Sequence, residues 1–359
     1  MQRGNIKPFE LLASLSLALI LVAFSSRSPA AETVSFEGKT VTVIIGSEPG
    51  GTTDASARLM GQYVAKYLPG KPSAVVQSKP GAHSLVAMNY FTQQVKPDGL
   101  TLAVGSGSQI DPINYRIPAS RYDPTKFYMV GGVDLGGGIV IIRNEALPRL
   151  KDKRANPVIM GSPSGLPHST MMPAAWGIDY LGWNVKWVSG YPSNSAALFL
   201  ALERGEIDMV AFSTSGLPDT LFDRSKFTII YQTGSNRCHA PSSLIQLKDV
   251  PIFGDAMRGK ISDPQVQKAF EYWCNGSSIA TWIALPPGTP AEIVGVYRAA
   301  FAKAMADPAF LEQGRSYAKD FSSVSFEDVT EAARSYGEVS PEVIQVLPQM
   351  LRRQGLALN

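Results

Sequence analysis

The chain has 359 residues, of which 45% are hydrophobic and 18% are charged, so its composition is that of a globular protein and not of a disordered one. This length is long for one compact core and natural for two lobes. The formal net charge is +3 and the sequence has no basic cluster, so we expect no nucleic-acid partner.

The N-terminal residues have the pattern of an export signal. Arg3 and Lys7 precede an apolar stretch over residues 11–24, which is too short to span a bilayer comfortably. Small residues of the kind found at a cleavage site follow, up to Ala30. We predict that residues 1–30 are a signal peptide cleaved near Ala30 and that the mature protein is periplasmic; the alternative is a membrane anchor.

The first part of the mature chain alternates between strand and helix patterns. Residues 40–47 are β-branched and apolar, as in a buried strand, and from Asp54 the apolar residues recur at helical spacing. A strand–helix–strand–helix–strand order predicts a parallel sheet with helices on its faces. The predicted elements are a strand over residues 40–47, a helix from Asp54, a strand over 73–77, a helix over 85–94 and a strand over 100–106.

A second cycle of the same kind follows, and the chain becomes helical towards its end. Pro290 suits the start of a helix, and Ser325 and Asp328 have the spacing of a capping box. We predict strands over residues 136–143, 157–162, 185–190, 209–213 and 227–233, and helices over 167–178, 195–208, 290–308 and 325–339.

These two cycles predict two α/β lobes, one of which is discontinuous in sequence. The helices near the end of the chain need a sheet to cover, and the first sheet offers one. We therefore expect lobe 1 to hold residues 32–131 and 236–359, and lobe 2 to hold residues 132–235.

Small and hydroxyl-bearing residues follow several of the predicted strands. Ligands of open α/β sheets bind beyond the carboxyl ends of the strands. Glycines let a ligand approach the backbone, helix N-termini present unpaired N–H groups, and Ser and Thr add neutral donors. We predict a carboxylate site made mainly of backbone amides and not of Arg or Lys. The candidate residues are Ser47, Pro49, Gly50, Gly51, Thr52, Thr53, Asp54, His83, Ser106, Ser162, Ser164, Gly165, His168 and Ser213.

Three of these candidates have a competing interpretation. Asp54 would repel an anion, so we expect it to cap the following helix, with Arg58 as its partner, and to fix the loop. His83 could reach the distal end of a ligand and help to select it, or it could be a solvent-facing histidine. His168 could position the ligand or its loop, or be structural. Residues 49–54 could also be a plain turn.

The two cysteines, Cys238 and Cys274, lie in the mature part of the chain. Disulfides form and persist in exported proteins, and two cysteines in that compartment usually pair. We predict a Cys238–Cys274 disulfide; the alternative is two separate buried thiols.

Known catalytic patterns are missing from the sequence. There is no G-x-S-x-G motif, no H-E-x-x-H motif and no C-x-x-C motif, so an α/β-hydrolase and a metal site are not indicated. Residues 254–261 are close to a P-loop, but Ile261 replaces the residue that would hold magnesium, and residues 105–110 lack the third glycine of a dinucleotide fingerprint. We predict no cofactor and no metal.

Taken together, the segments resemble the substrate-binding proteins of the tripartite tricarboxylate transporters, the Bug receptors, over residues 40–348. Single motifs are weak, but their order and spacing together are fairly specific. Where the family often has a third glycine this chain has Thr52, and where it usually has a glycine pair it has His83 and Ser84. The motifs are PGGTTDASARL, KPGAHS, KPDGLTLAVGS, GSPSGLPHS, GYPSNSAALFLALERGEIDMV and ALPPGTPAEIVGVYRAAFAKAMADPAFLE.

The resemblance implies a type II periplasmic binding protein fold, in which two α/β lobes close over a ligand cleft. It implies that the loop Ser47–Asp54 holds one carboxylate of a small organic acid and that the opposing lobe contributes the loop Gly161–His168. The expected function is a non-enzymatic, monomeric receptor that delivers this acid to membrane permease subunits. The alternatives are an exported hydrolase that uses Ser162 or Ser164 with His168, and a partner that presents its ligand to a signalling sensor.

Overall fold

The computed structural model describes residues 34–163, 169–191, 195–214, 219–233, 238, 241–242, 244–276 and 279–356. The chain divides into two compact units, residues 1–35 and residues 36–359. The predicted signal peptide and its cleavage site lie outside the described residues. Everything that follows concerns the second unit.

Eleven strands lie within the described residues and form two mixed sheets. The first sheet has the order β11-β4-β10-β3-β1-β2 and the second the order β7-β6-β8-β5-β9. The strands are β1 (Thr40–Ile45), β2 (Ser73–Ser78), β3 (Thr101–Ser106), β4 (Tyr128–Asp134), β5 (Gly138–Arg143), β6 (Val158–Pro163), β7 (Val185–Tyr191), β8 (Met209–Ser213), β9 (Phe227–Gln232), β10 (Thr281–Leu285) and β11 (Ser322–Val324).

Twelve α-helices within the described residues cover these sheets. They are α1 (Thr52–Tyr67), α2 (Leu85–Gln94), α3 (Gly107–Ile110), α4 (Pro112–Tyr115), α5 (Met172–Tyr180), α6 (Ser195–Arg204), α7 (Phe253–Met257), α8 (Pro264–Gly276), α9 (Ala291–Met305), α10 (Pro308–Tyr317), α11 (Phe326–Gly337) and α12 (Pro341–Arg353).

The predicted parallel arrangement of the first three strands is confirmed. β1 pairs in parallel with both β2 and β3, so their carboxyl ends meet at one edge of the sheet. β10 was not predicted as a strand, yet it lies antiparallel between β3 and β4. The chain then passes directly from β4 in the first sheet to β5 in the second.

Several helix boundaries differ from the sequence expectation, among them α5, which begins at Met172 where a helix over residues 167–178 was expected, and α6, which ends at Arg204 and not at residue 208. α1 begins at Thr52 and not at Asp54, with Gly51 as its N-cap residue. The helix predicted over residues 290–308 is α9, which ends three residues earlier at Met305, and Asp307 Oδ1 accepts a hydrogen bond from Ala309 N (2.9 Å) at the start of the next helix, which begins at Pro308. Ser325 caps α11 as predicted, accepting a hydrogen bond from Asp328 N (3.1 Å).

Residues 244–276 and the end of α12 contact elements of the second sheet. The Trp176 ring on α5 packs edge-on against Phe270 of α8, with centroids 5.2 Å apart. Gln354, just after α12, accepts a hydrogen bond from Trp187 Nε1 on β7 (3.1 Å). The lobe boundaries predicted from the sequence remain a prediction, and these contacts favour assigning residues 244–276 and 341–354 to lobe 2.

Candidate functional site

The loop between β1 and α1 presents backbone amides to solvent. Gly51 has extended backbone angles and no side chain caps the helix that follows it, so N–H groups of the first turn of α1 have no side-chain acceptor. Gly50 has φ +89°, a conformation that glycine adopts without strain. A Cβ atom on Gly51 would meet no atom within 4 Å, so a ligand has room to approach. This uncapped end of a 16-residue helix suits an anion.

Asp54 fixes this loop, although it is not the N-cap residue that the sequence suggested. It lies in the first turn of α1, and its Oδ2 accepts hydrogen bonds from Gly50 N (3.0 Å) and Arg58 Nε (3.1 Å). Arg58 Nη2 lies 3.0 Å from Asp54 Oδ1. Burial acts to raise the pKa of Asp54, but the hydrogen bonds from Arg58 and Gly50 prevail and hold it below its ordinary value. The Asp54 charge is therefore neutralised by Arg58.

The remaining predicted residues of the first loop are accessible, with one exception. Pro49 and Thr52 are exposed and Thr53 is half-buried. The hydroxyl oxygen of Ser47 is buried and has no hydrogen-bond partner among the described residues. A buried hydroxyl of this kind usually finds a partner in water or ligand.

The loop after β2 packs directly on the first loop. Ser78 Oγ donates to Ser47 O (2.5 Å). A Cβ atom on Gly46 would lie only 2.2 Å from Ser84 Cβ, so Gly46 cannot be replaced without moving Ser84. His83, one residue before Ser84, is exposed. The structure thus brings His83 to the same sheet edge as the first loop.

Three consecutive non-glycine residues in this second loop have left-handed backbone angles. The φ values are +46° at Ala82, +52° at His83 and +72° at Ser84. Side chains rarely occupy this region, which costs about 1–2 kcal/mol per residue. His83 and Ser84 stand where the resemblance led us to expect a glycine pair, and glycine would adopt these left-handed angles with less strain.

Ser106, at the end of β3, is engaged with its own helix. Its backbone N donates to Gln109 Oε1 (2.7 Å), and its hydroxyl lies 2.7 Å from Ser108 Oγ. Trp282 Nε1 on β10 donates to Ser106 O (2.8 Å). Ser106 therefore shapes the third strand end, and a ligand would have to compete for its hydroxyl.

In the second sheet, only part of the predicted site lies in the described residues. Ser162 has no exposed surface and lies beside Ser189 in the β6–β7 pair. Ser213 is half-buried and pairs with Gly138. Ser164, Gly165 and His168 lie outside the described residues.

Cys238 and Cys274 form a disulfide in the structure, with Cα atoms 5.4 Å apart. Cys274 lies near the end of α8, and Cys238 lies in the chain that returns from the second sheet. The bond therefore connects this return segment to a helix of the core.

A cluster that the sequence did not reveal lies where the chain crosses from β4 to β5. Its members are buried or half-buried polar residues from distant parts of the chain, and only their proximity in the fold distinguishes them. They are Asp134, Thr214, Thr233, Ser242 and Asp320. Within the described residues, no group of three or more His, Cys, Asp or Glu side chains could hold a metal ion. None of the described helices has the length and apolar character to cross a membrane.

Comparison with known proteins places the fold among the periplasmic binding proteins. No protein-family model matches the chain. A UPF0065 protein of Bordetella pertussis is 26% identical over 321 residues, which are 86% of this chain and 88% of that protein. The structure of a TctC solute binding protein from Polaromonas, without ligand, has a TM-score of 0.60 at 19% identity and covers 89% of this chain and 100% of its own. A structure of an R. palustris protein with adipate has a TM-score of 0.58 at 19% identity, covering 89% and 98%.

The protein therefore has the two-lobe α/β fold of periplasmic binding proteins. Within that fold it resembles the TctC and UPF0065 proteins, in agreement with the resemblance drawn from its motifs.

Proposed function

We propose that the protein is a periplasmic solute receptor that captures a small organic acid through its carboxylate and delivers it to a tripartite tricarboxylate-type permease. The uncapped N-terminus of α1, beside an open Gly50–Gly51 turn, carries this proposal. Backbone N–H groups at a helix N-terminus bind carboxylates well. A protein of similar fold has been solved with adipate, which is a dicarboxylate.

The first loop, residues 47–54, contains no lysine or arginine and its charged residues are Glu48 and Asp54, so its hold on an anion is weak enough for a receptor that must release its ligand. The Arg58 guanidinium is bound to Asp54, and Lys79 Nζ lies 3.9 Å from the centre of the Tyr90 ring. The anion is thus held by dipoles and hydroxyls. We expect moderate affinity and little dependence of ligand binding on salt, because in the described first loop backbone dipoles and hydroxyls, and no lysine or arginine, face the anion.

We further propose that His83 selects among acids without anchoring them. It is exposed, and its neighbour Ser84 packs against Gly46 in the first loop. An imidazole there can donate to a second carboxylate or lie on an apolar chain. The proximal carboxylate would remain with the amides of residues 50–53.

The test is a thermal-shift screen of the mature protein against mono-, di- and tricarboxylates, followed by calorimetry of each hit. A receptor stabilised by ligand at 100 times Kd gains about 2.7 kcal/mol of unfolding free energy. We expect 1:1 binding of at least one acid and an unchanged ligand after long incubation, as seen by NMR. Absence of any binding acid would contradict the proposal.

The same experiment addresses the competing hydrolase. Ser162 has no exposed surface, so its hydroxyl is not placed as a nucleophile. Appearance of a product in the NMR samples would favour the hydrolase and contradict a receptor role.

A further inference from the structure

The crossover from the first sheet to the second is short and tightly held at one end. Only residues 135–137 separate β4 from β5, and Gly136 has φ +83°. Gly138 N donates to Thr233 Oγ1 (2.6 Å), and Thr214 Oγ1 donates to Gly137 O (3.1 Å). Both threonines follow strands of the second sheet, so this end of the crossover moves with that sheet.

Two carboxylates lie against the other end. Asp134, the last residue of β4, is 8% exposed, and its Oδ1 accepts a hydrogen bond from Gly136 N (3.0 Å). A Cβ atom on Gly136 would lie 2.7 Å from Asp320 Oδ2, so the Asp320 carboxylate lies against the same glycine. Asp320 closely precedes β11, in which Ser322 pairs with Asp134. Both acids are thus carried by the first sheet, at the crossover.

Both acids line one cavity of about 300 Å³. Among the described residues, the other charged groups that line it are Arg315 on α10 and Lys319, and none of these residues forms a salt bridge with Asp134. None of the charges of α11, which also packs on β4, lines the cavity, and Arg334 of α11 pairs with Glu331 and Glu338. β10, which pairs with β4, contributes no charge.

A hydrogen bond links this acid pair to the segment after β9, which is the second place where the chain passes between the two sheets. Ser242 Oγ donates to Asp320 Oδ2 (2.5 Å), and Ser242 lies in the chain that returns from β9 towards β10. Burial, together with the charge of Asp320, raises the pKa of Asp134 to about 6, although N–H groups of Gly136 and Leu135 oppose this. Asp134 thus changes its charge under mild conditions, beside both connections.

We propose that the Asp134–Asp320 pair makes the arrangement of the two lobes depend on pH. When Asp134 is protonated, the arrangement described above is favoured. When Asp134 is ionised, its burial and the nearby charge of Asp320 disfavour this arrangement and favour one in which water reaches the Asp134 carboxylate, and the crossover at Gly136 is the point that can turn. This proposal goes beyond the receptor function, because it needs the two sheets and their crossover but no ligand.

The size of the effect has an upper limit. A group whose pKa differs by two units between two arrangements shifts their equilibrium by at most about 100-fold. Asp134 therefore changes the populations of open and closed protein without abolishing either. A ligand that prefers one arrangement would bind with a pH-dependent affinity even if no group in its own site titrates.

The test is small-angle X-ray scattering of the ligand-free mature protein between pH 4.5 and 8. We expect the radius of gyration to change with a midpoint near pH 6. Asp134→Asn keeps the acceptor for Gly136 N but cannot ionise, so its radius of gyration should stay constant. Asp320→Asn keeps an acceptor for Ser242 and removes the repulsion, so the midpoint should move to lower pH.

The control is Asp255→Asn, which removes an exposed carboxylate on α7 that pairs with Arg258. It should keep the wild-type transition. A wild-type curve without a transition, a transition that persists in Asp134→Asn, or its loss in Asp255→Asn would each overturn the proposal. Circular dichroism at each pH checks that each variant is folded. If Asp134→Asn does not fold, the test passes to Asp320→Asn, and an unshifted midpoint in that variant overturns the proposal. No ligand is present, so failure here is independent of the receptor function.

Discussion

Gly51 is the residue at which ligand binding and folding can be separated most cleanly. It has a φ of −87° and space around its Cβ position, so a side chain there strains nothing. We expect Gly51→Val to reduce affinity for the acid at least 100-fold and to leave unfolding unchanged within about 0.5 kcal/mol, the usual range for surface changes. Calorimetry and urea unfolding measure the two effects.

Gly295→Val is the matched control for this substitution. Gly295 lies on the exposed side of α9 and a Cβ there also meets no atom within 4 Å. It should stabilise the protein by a few tenths of a kcal/mol, because valine has a better helix propensity than glycine, and leave affinity unchanged. Unchanged affinity in Gly51→Val would mean that the anion binds elsewhere.

Asp54 is expected to matter through the loop and not through the ligand. Asp54→Ala removes the bonds to Gly50 N and Arg58, and the loss of a hydrogen bond to a charged group costs about 2 kcal/mol. The pKa of Asp54 is lowered in the fold, so its stabilisation is present above the ordinary value of 3.8 and is lost as pH falls through the lowered value.

Urea unfolding at pH 7 and at pH 3 measures this contribution. Asp54→Asn should lie between wild type and Asp54→Ala at pH 7, because the amide still accepts from Gly50 N. In acid, wild type should approach Asp54→Asn, because both then offer a neutral acceptor to Gly50 N, and Asp54→Ala should stay less stable than either. A strong increase of affinity in Asp54→Ala would show that Asp54 faces the ligand and that our assignment is wrong.

At the scale of elements, the loop after β2 combines left-handed backbone angles, which lower the stability of the fold, with the proposed role of His83 in ligand selectivity. His83→Gly removes a side chain from a left-handed position, and the gain is partly offset by the greater freedom of glycine in the unfolded chain. We expect the variant to be more stable by about 1 kcal/mol. We also expect it to rank the acids of the screen differently.

Ala82→Gly separates these two effects. It relieves a similar left-handed conformation one residue earlier without removing the imidazole. It should stabilise the protein and keep the wild-type ranking of acids. If His83→Gly also keeps that ranking, His83 is a surface residue and selectivity lies with the second lobe.

The sequence predicted those elements whose pattern is local. β1 and α1 follow from an apolar run and a helical period, and the proposed anion site follows from where they join. β4 and β10 were missed for different reasons. β4 contains two glycines, which weaken a strand pattern, and β10 is a five-residue apolar run whose period cannot distinguish strand from helix. The Asp134–Asp320 pair could not be predicted, because residues far apart in sequence meet only when β11 pairs with β4.

At the scale of the whole molecule, two buried acids should make stability rise on mild acidification. Burial raises the pKa of Asp111 to about 6, against hydrogen bonds from Tyr272 and Ile113 N, and the pKa of Asp134 is also about 6. A raised pKa gives stability that is complete below the unfolded value and is lost as pH rises through the folded one. We expect unfolding free energy to increase between pH 7 and pH 5 by roughly 1 kcal/mol per acid.

Urea unfolding of the double variant Asp111→Asn and Asp134→Asn checks this. Its stability should be nearly constant between pH 5 and pH 7. If the wild-type free energy of unfolding instead decreases on going from pH 7 to pH 5, other groups dominate and the two acids are ionised in the fold.

The disulfide is the other feature that acts on the whole chain. It closes a loop over a sequence separation of 36 residues, for which the loss of chain entropy gives about 3–4 kcal/mol. Cys238→Ala with Cys274→Ala should lose that amount in urea unfolding without losing the 1:1 binding of the acid. Two reactive thiols in the denatured wild-type protein would show that the bond is absent in the exported form.

The position of β10 has a consequence for how the protein is made. β10 lies between β3 and β4, so the first sheet has a gap at its centre until residues 281–285 have been synthesised. Pairing strands so distant in sequence is slow, and the incomplete sheet exposes unpaired backbone on both sides of the gap. The first sheet is therefore incomplete through most of the chain's synthesis. In the exported receptor that we propose, the first sheet therefore cannot close before most of the chain has been made.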